Sequence, residues 1–203
     1  MFTSGDTEAC RAELAALLYA RSYMEGDFTL SSGRKASYYF DCRQSSLDPD
    51  GARLIGMLFA RMLRDTEARA VAGMTLGADP LLTATSLAAL AQGRRLPALI
   101  VRKEAKGHGA GRRVEGLANV RPGDKVVMLE DVVSTGASVL QAANMIEAEG
   151  LEVLAVFCIL NREEPGGAEA FAAAGRELRS LFTRRELLEL ARSAGHAGVR
   201  PPA

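Results

Sequence analysis

An apolar run, Val126-Val127-Met128-Leu129, ends directly on two adjacent acids, Glu130 and Asp131. Val132 and Val133 follow, then the small or hydroxyl-bearing Ser134-Thr135-Gly136-Ala137-Ser138, then the helical pattern Val139, Leu140, Ala143, Ile146. Such a strand, turn and helix start can bind a phosphate. The first turn of a helix offers unpaired N–H groups and the positive end of its dipole, and small residues let a phosphate reach the backbone. The hydroxyls of Ser134, Thr135 and Ser138 add donors, while Glu130 and Asp131 can accept hydrogen bonds from ribose hydroxyls. The stretch is a candidate ribose 5-phosphate cradle at the carboxyl end of a sheet. A helix cap preceded by two solvated acids is the competing reading, and spacing alone leaves both open. The Gly-Lys-Ser/Thr ending of a P-loop and the three-glycine dinucleotide turn are both absent.

Two further groups have the residue types for chemistry on such a ligand. Arg102-Lys103-Glu104-Ala105-Lys106-Gly107-His108-Gly109 gathers the cations Arg102, Lys103 and Lys106 and the imidazole of His108. A diphosphate needs several cations at a place that water can leave, and the flanking glycines let such a loop close. A solvated charged loop is the plainer alternative. In Asn161-Arg162-Glu163-Glu164, the guanidinium fork of Arg162 can meet a carboxylate with two parallel hydrogen bonds. A surface ion pair with a neighbouring Glu competes with that role.

The elements that must position these residues alternate. Residues 7 to 24 carry Leu14, Leu17, Leu18 and Met24 at helical spacing. Phe28-Thr29-Leu30 and Tyr38-Tyr39-Phe40 read as short strands around the polar turn Ser31 to Lys35. Asp48-Pro49 starts a helix. Beyond it, apolar runs at Val71 to Gly73, Leu99 to Val101, Val126 to Leu129 and Val153 to Leu160 alternate with helical patterns from Pro80 and Ser138. The pattern predicts an α/β fold with a central, mostly parallel sheet flanked by helices. Thr183 and Glu186 form the capping box of a final helix, and the Gly- and Pro-rich tail from Ala194 is expected to fray. No internal repeat or low-complexity linker interrupts the chain. The glycine-rich, basic stretch from Lys106 to Gly116 is long for a connection.

Composition excludes several classes. With 203 residues, 48 % of them hydrophobic, the chain suits one domain with one sizeable core. Its 25 Lys and Arg balance 25 Asp and Glu, so no global field recruits nucleic acid or an anionic membrane. The three cysteines, Cys10, Cys42 and Cys158, have neither metal-ligand spacing nor a pairing that uses all of them, which fits reduced thiols in a cytoplasmic protein. No apolar run approaches the roughly 18 residues of a membrane span, and the first residues lack a signal pattern.

Glu130 to Ser138, with the apolar strand before it, resembles the signature of type I phosphoribosyltransferases, and Arg102 to Gly109 resembles the catalytic loop of orotate phosphoribosyltransferases. Phe28 to Lys35 is similar to the family's N-terminal base-side segment, and Asn161 to Glu164 to its base-binding arginine. Gly73 to Pro80 resembles a variant of its pyrophosphate loop, where backbone N–H groups hold the ligand; Asp79 as a helix N-cap is the competing reading there. The resemblance runs from about residue 23 to residue 192 in the expected order. Ser31 and Gly77 depart from it, since each stands where many members have a lysine.

The resemblance implies a single phosphoribosyltransferase domain over residues 1–203. In it, about 1–45 and the C-terminal part form a small hood over the base. Phosphoribosyl pyrophosphate (PRPP) would be bound by Arg102, Lys103, Lys106, His108, Glu130, Asp131, Val132, Val133, Ser134, Thr135, Gly136, Ala137 and Ser138, and orotate by Ser134 and Arg162. It further implies a homodimer whose loops reach into each other's sites, and Mg²⁺ held mainly by substrate and water. N1 of orotate would displace pyrophosphate from ribose C1, giving orotidine 5′-phosphate in pyrimidine nucleotide synthesis. Lys106 and its neighbours would stabilise the leaving charge and His108 would donate to it. The rivals are a purine phosphoribosyltransferase and a non-catalytic regulator of the same fold that senses PRPP and binds nucleic acid. The balanced charge and the basic loop speak against the regulator.

Overall fold

A computed structural model of the chain describes residues 4–29, 35–104 and 113–193. Its centre is a six-stranded sheet of β3 (Ala70–Met74), β4 (Ala98–Val101), β5 (Val114–Glu115), β6 (Lys125–Val133), β7 (Glu152–Asn161) and β8 (Glu177–Thr183). The strands lie in the order β5-β4-β3-β6-β7-β8, and only the short β5 runs antiparallel to its neighbour. This is the expected α/β architecture. Helices cover both faces, so inner strands are apolar on every residue, as in β3, rather than alternating. Alternation decides only which face each side chain feeds. Val127 and Leu129 join a core with α1 (Ser4–Ser22), α3 (Pro49–Leu63), α4 (Asp79–Ala91) and α7 (Arg184–Ser193). Val126 and Met128 join a second core with α5 (Ala137–Ala148) and with Phe171 of α6 (Gly167–Ala173).

Local chemistry sets the helix ends. Asp48 caps α3 by accepting from the N–H groups of Asp50 (3.1 Å) and Gly51 (3.3 Å), with Pro49 in the first turn. The capping box at α7 is reciprocal: Glu186 accepts from Thr183 N at 2.8 Å, and Thr183 Oγ1 accepts from Glu186 N at 3.2 Å. The first helix differs from the reading over residues 7 to 24. It stops at Ser22, because Tyr23 and Met24 pair with Phe40 and Tyr39 in the antiparallel ribbon of β1 (Tyr23–Thr29) and β2 (Lys35–Phe40). Aromatic stacking of Tyr23 on Tyr19 and Tyr38 favours the strand over one more helical turn. A short α2 (Arg43–Ser46), β5, α6 and β8 were not signalled by periodicity.

Among the described residues no helix is long and apolar enough to cross a membrane, and Cys10, Cys42 and Cys158 are free thiols. Leu30, the turn from Ser31 to Arg34, Lys106, His108, most of the loop ahead of Gly116 and the tail from Ala194 lie outside the described residues.

Candidate active site

From β3 the chain steps outward to β4 on one side, whereas from β6 it steps to β7 and β8 on the other. The carboxyl ends of β3 and β6 therefore flank the point where the direction of winding reverses, the place where open α/β sheets leave a crevice for ligands. Glu130 and Asp131 stand at that point. β6 does not end at Leu129 as expected; it runs on to Val133, with Glu130 opposite Cys158 and Val132 opposite Leu160. Each acid bends back onto the next backbone amide: Glu130 Oε1 accepts from Asp131 N (3.2 Å) and Asp131 Oδ1 from Val132 N (2.7 Å).

The β3–α4 loop closes on Asp131 from the neighbouring strand. A Cβ on Gly77 would lie 2.9 Å from Asp131 Oδ2, so a side chain in place of this glycine would crowd the carboxylate. The lysine common at this position in the resembled family is thus replaced by a close approach of backbone to acid. Thr75 Oγ1 donates to Asp79 Oδ2 at 2.7 Å. Asp79 is not the N-cap of α4; Ala78 holds that position without a side-chain bond, and Asp79 braces the loop from the first turn. The Thr75–Leu76 peptide of the loop is cis.

The turn after β6 is shaped by two contacts. Gly136 adopts φ 82°, and a Cβ there would lie 2.4 Å from the Phe171 ring, so both backbone conformation and packing demand glycine. α6 supports the turn from beneath, with Gly167 so close that a Cβ would meet Ser134 O at 2.9 Å. No side chain caps α5. Thr135, Ala137 and Ser138 are exposed and Ser134 is half-buried, which leaves the start of α5 open to a phosphate. Two solvated acids ahead of a helix cap do not describe this arrangement. Burial of the Glu130 carboxyl, reinforced by Asp131 beside it, pushes its pKa well above the usual carboxylate range, while Lys103 pulls the other way.

On the other flank, Arg162 follows β7, with its N–H donating to Val133 O at 2.9 Å. Its backbone is thereby tied to the turn after β6 one residue before Ser134. The guanidinium points toward β2: Nη2 and Nε lie 3.2 and 3.4 Å from the Tyr38 hydroxyl. Nη2 is also 3.5 Å from Glu164 Oε1. The ion pair expected as the alternative role exists, yet it is not a surface pair, since both side chains are only 12 % exposed. Tyr38 and Arg184, 4.0 Å from guanidinium carbon to ring centroid, belong to the same cluster. Neither was singled out from the sequence; the only signals were an aromatic run on a short strand and an arginine at a helix start.

Lys103 follows the end of β4 and is exposed, and its charge is the least of the influences on the Glu130 carboxyl. Arg102 instead pairs with Glu115 of β5 at 3.6 Å, and its N–H donates to Arg113 O at 2.8 Å. These contacts pin both stems of the basic loop at the site's end of the sheet. A trough of about 1410 Å³ lies at the opposite end, lined by Arg64, Arg69, Arg94, Arg95 and Lys125 among others. Its innermost arginine, Arg94, donates to the carbonyls of Leu63, the last residue of α3, and of Thr66 and Ala68 beyond it, so it serves the fold.

No protein-family model matches the chain. Curated relatives do. The chain is 50 % identical over 172 residues to orotate phosphoribosyltransferase of Thermosynechococcus vestitus, covering 85 % of this chain and 89 % of the relative. It is 42 % identical over 193 residues to the Nostoc sp. enzyme of the same name, covering 95 % and 92 %. Among solved structures, Mycobacterium tuberculosis orotate phosphoribosyltransferase in complex with PRPP superposes with a TM-score of 0.73 at 36 % identity, over 88 % of this chain and 98 % of that one. With an acid pair and an open helix start at the switch point of its sheet, and relatives matched along nearly their whole length, the chain belongs to the orotate phosphoribosyltransferase family.

Proposed function

We infer that the chain transfers the 5-phosphoribosyl group of PRPP to N1 of orotate, releasing pyrophosphate and forming orotidine 5′-phosphate for UMP synthesis. The observation that carries this reading is the open turn from Ser134 to Ser138, flanked on one side by Glu130 and Asp131 and on the other by Arg162. In this reading the 5′-phosphate lies on the N–H groups and hydroxyls of Ser134, Thr135, Gly136, Ala137 and Ser138, with Val132 and Val133 fixing the turn. Glu130 and Asp131 take the ribose hydroxyls. The β3–α4 loop offers its backbone to the pyrophosphate. Ser134 and Arg162 read the base, Arg162 through the orotate carboxylate. The antiparallel ribbon, with α1 and α7 behind it, acts as the hood over that base.

As the C1–oxygen bond lengthens, positive charge develops on the ribose and negative charge on the departing pyrophosphate. Cations fixed beside the leaving group stabilise that distribution more than the ground state. Lys103 and Lys106 supply them, Arg102 adds to the local field, and His108 donates a proton or hydrogen bond to the leaving oxygen. Among the described residues there is no cluster of three or more metal-ligating side chains. The carboxylates of Glu130 and Asp131 nevertheless suit a hard cation that keeps substrate and water ligands, as Mg²⁺ does. Bound with PRPP, Mg²⁺ would neutralise charge on the diphosphate. The work takes place in the cytoplasm, in keeping with the three free thiols.

The working form in this reading is a homodimer in which each basic loop completes the partner's site. Leu76, Leu87 and Leu90 support it, exposed by 70, 62 and 53 % along the β3–α4 loop and α4. The test is the loss of orotate ultraviolet absorbance on adding PRPP and Mg²⁺ to the protein. Lys106→Ala and Asp131→Asn should each abolish most of it. Mixing the two variants should restore up to about a quarter of wild-type activity, because half of randomly mixed dimers carry one intact composite site. Full activity of Lys106→Ala would overturn its role, and no recovery on mixing would overturn the shared site.

A further inference from the structure

Tyr38 is held from several directions. Its ring stacks on Tyr23 with centroids 6.0 Å apart, and Tyr23 stacks on Tyr19 of α1 at 5.2 Å. Its hydroxyl accepts from Arg162 at 3.2 Å. The guanidinium carbon of Arg184, the first residue of α7, lies 4.0 Å from the Tyr38 centroid, nearer than that of Arg162 at 5.2 Å. Arg184 also offsets part of the effect of burial and of Glu25, which together push the Tyr23 hydroxyl up to about 12.

Arg184 is poorly explained by the stability of α7 alone. A cation in the first turn opposes the helix dipole. Among the described residues its buried Nε has no hydrogen-bond partner, an arrangement that disfavours folding unless something else requires the side chain. What the arginine does have is the face of the half-buried Tyr38 ring, within cation–π distance.

We propose that Arg184 is a positioning residue for base selection: by holding the Tyr38 ring it fixes the hydroxyl that orients Arg162, and so sets the preference for a base that bears a carboxylate. Arg162 stands between two acceptors, the Tyr38 hydroxyl and Glu164 at 3.5 Å. If Tyr38 swings away, Arg162 turns fully to Glu164 and its charge is spent on the protein's own carboxylate. The inference rests on the orotate reading above. It also links the C-terminal helix to the N-terminal ribbon through one ring.

The experiment is steady-state kinetics on the full chain with orotate, and with uracil, which lacks the carboxylate, as substrate or as competitor. Arg184→Met, which keeps the apolar stem, should raise the KM for orotate about tenfold. The KM for PRPP and the kcat should stay within about twofold, and the preference for orotate over uracil should narrow by the same factor as the orotate KM rises. Arg184→Lys should recover part of the loss, because an ammonium also sits well over a ring. Tyr38→Phe keeps the ring but not the hydroxyl and should reproduce the phenotype. The double variant should be no worse than either single one, since both act through Arg162. Equal losses with orotate and uracil, a parallel rise in the PRPP KM, or multiplicative effects in the double variant would overturn the proposal. If wild type consumes orotate and Arg184→Met matches it, only this inference fails; if wild type does not consume orotate, the functional reading fails with it. Should Arg184→Met not fold, Arg184→Lys and Tyr38→Phe give the same comparison.

Discussion

On the side proposed to hold the phosphate, nine consecutive residues from Glu130 to Ser138 make up the strand end, the turn and the helix start. On the side proposed to read the base, Tyr38 and Arg162 meet across 124 positions of sequence, and Arg184 arrives from a third segment. The first side is a local structure whose geometry follows from a strand, a left-handed glycine and a helix start. The second exists only once β2, β7 and α7 have been packed together. In the proposed reading such a site is conservative in how it holds a sugar phosphate and adjustable in which base it admits, and single side-chain changes on the base side should leave the turn undisturbed.

Variants can break this division. The largest effect is expected at Phe171, whose ring fills the space under Gly136. Phe171→Ala should cost about 3–5 kcal/mol of stability in denaturant melts, and PRPP binding should weaken more than orotate binding. An equal loss of both would show that the two sides are not separable. Asp131→Asn keeps the shape of the side chain and removes the charge that faces Gly77. Its kcat/KM should fall by about 10²–10³, the range seen when one preorganised electrostatic partner of the transition state is removed. Arg162→Ala should lower kcat/KM for orotate about 10–100-fold, the range for losing a charge-assisted hydrogen bond, with little change in the KM for PRPP measured at saturating orotate. A matching rise in the PRPP KM would place Arg162 on the phosphate side.

The same division explains what the sequence reveals. The α/β fold is legible because buried parallel strands are continuous apolar runs, and the phosphate turn because it is contiguous. The basic loop is legible as composition, although Lys106 and His108, the residues proposed to act on the leaving group, lie outside the described part of the structure. Tyr38 and Arg184 carry no local signature: each looks like an ordinary residue of its own element until tertiary packing joins them. Strand β8 is not a continuous apolar run, since Glu177 and Arg179 interrupt it, and α6 at seven residues is too short to show a period. Asp79 looked like a cap because it precedes a proline, yet the tight loop from Gly73 moves the helix start back by one residue and gives the carboxylate to Thr75.

The smallest expected effect lies in Glu130, where burial and the adjacent Asp131 raise the pKa well above that of an ordinary carboxyl. The folded protein thus holds this proton more tightly than the unfolded chain does. Its contribution to stability is fully present below the unfolded pKa, near 4.3 for a free glutamate, and is lost as pH rises through the raised folded value. Wild type should accordingly lose Tm over that interval relative to Glu130→Gln, which has no proton to release. Asp131→Asn, by removing the second-largest cause, should bring the wild-type transition to lower pH. The glutamine should still weaken PRPP binding, because the ionised acid is the better acceptor for a ribose hydroxyl, so stability and affinity should move in opposite directions above the transition. Parallel pH profiles of Tm for wild type and Glu130→Gln would mean that the raised carboxyl is not part of the fold's pH response. The phosphate side would then owe its geometry to the backbone alone.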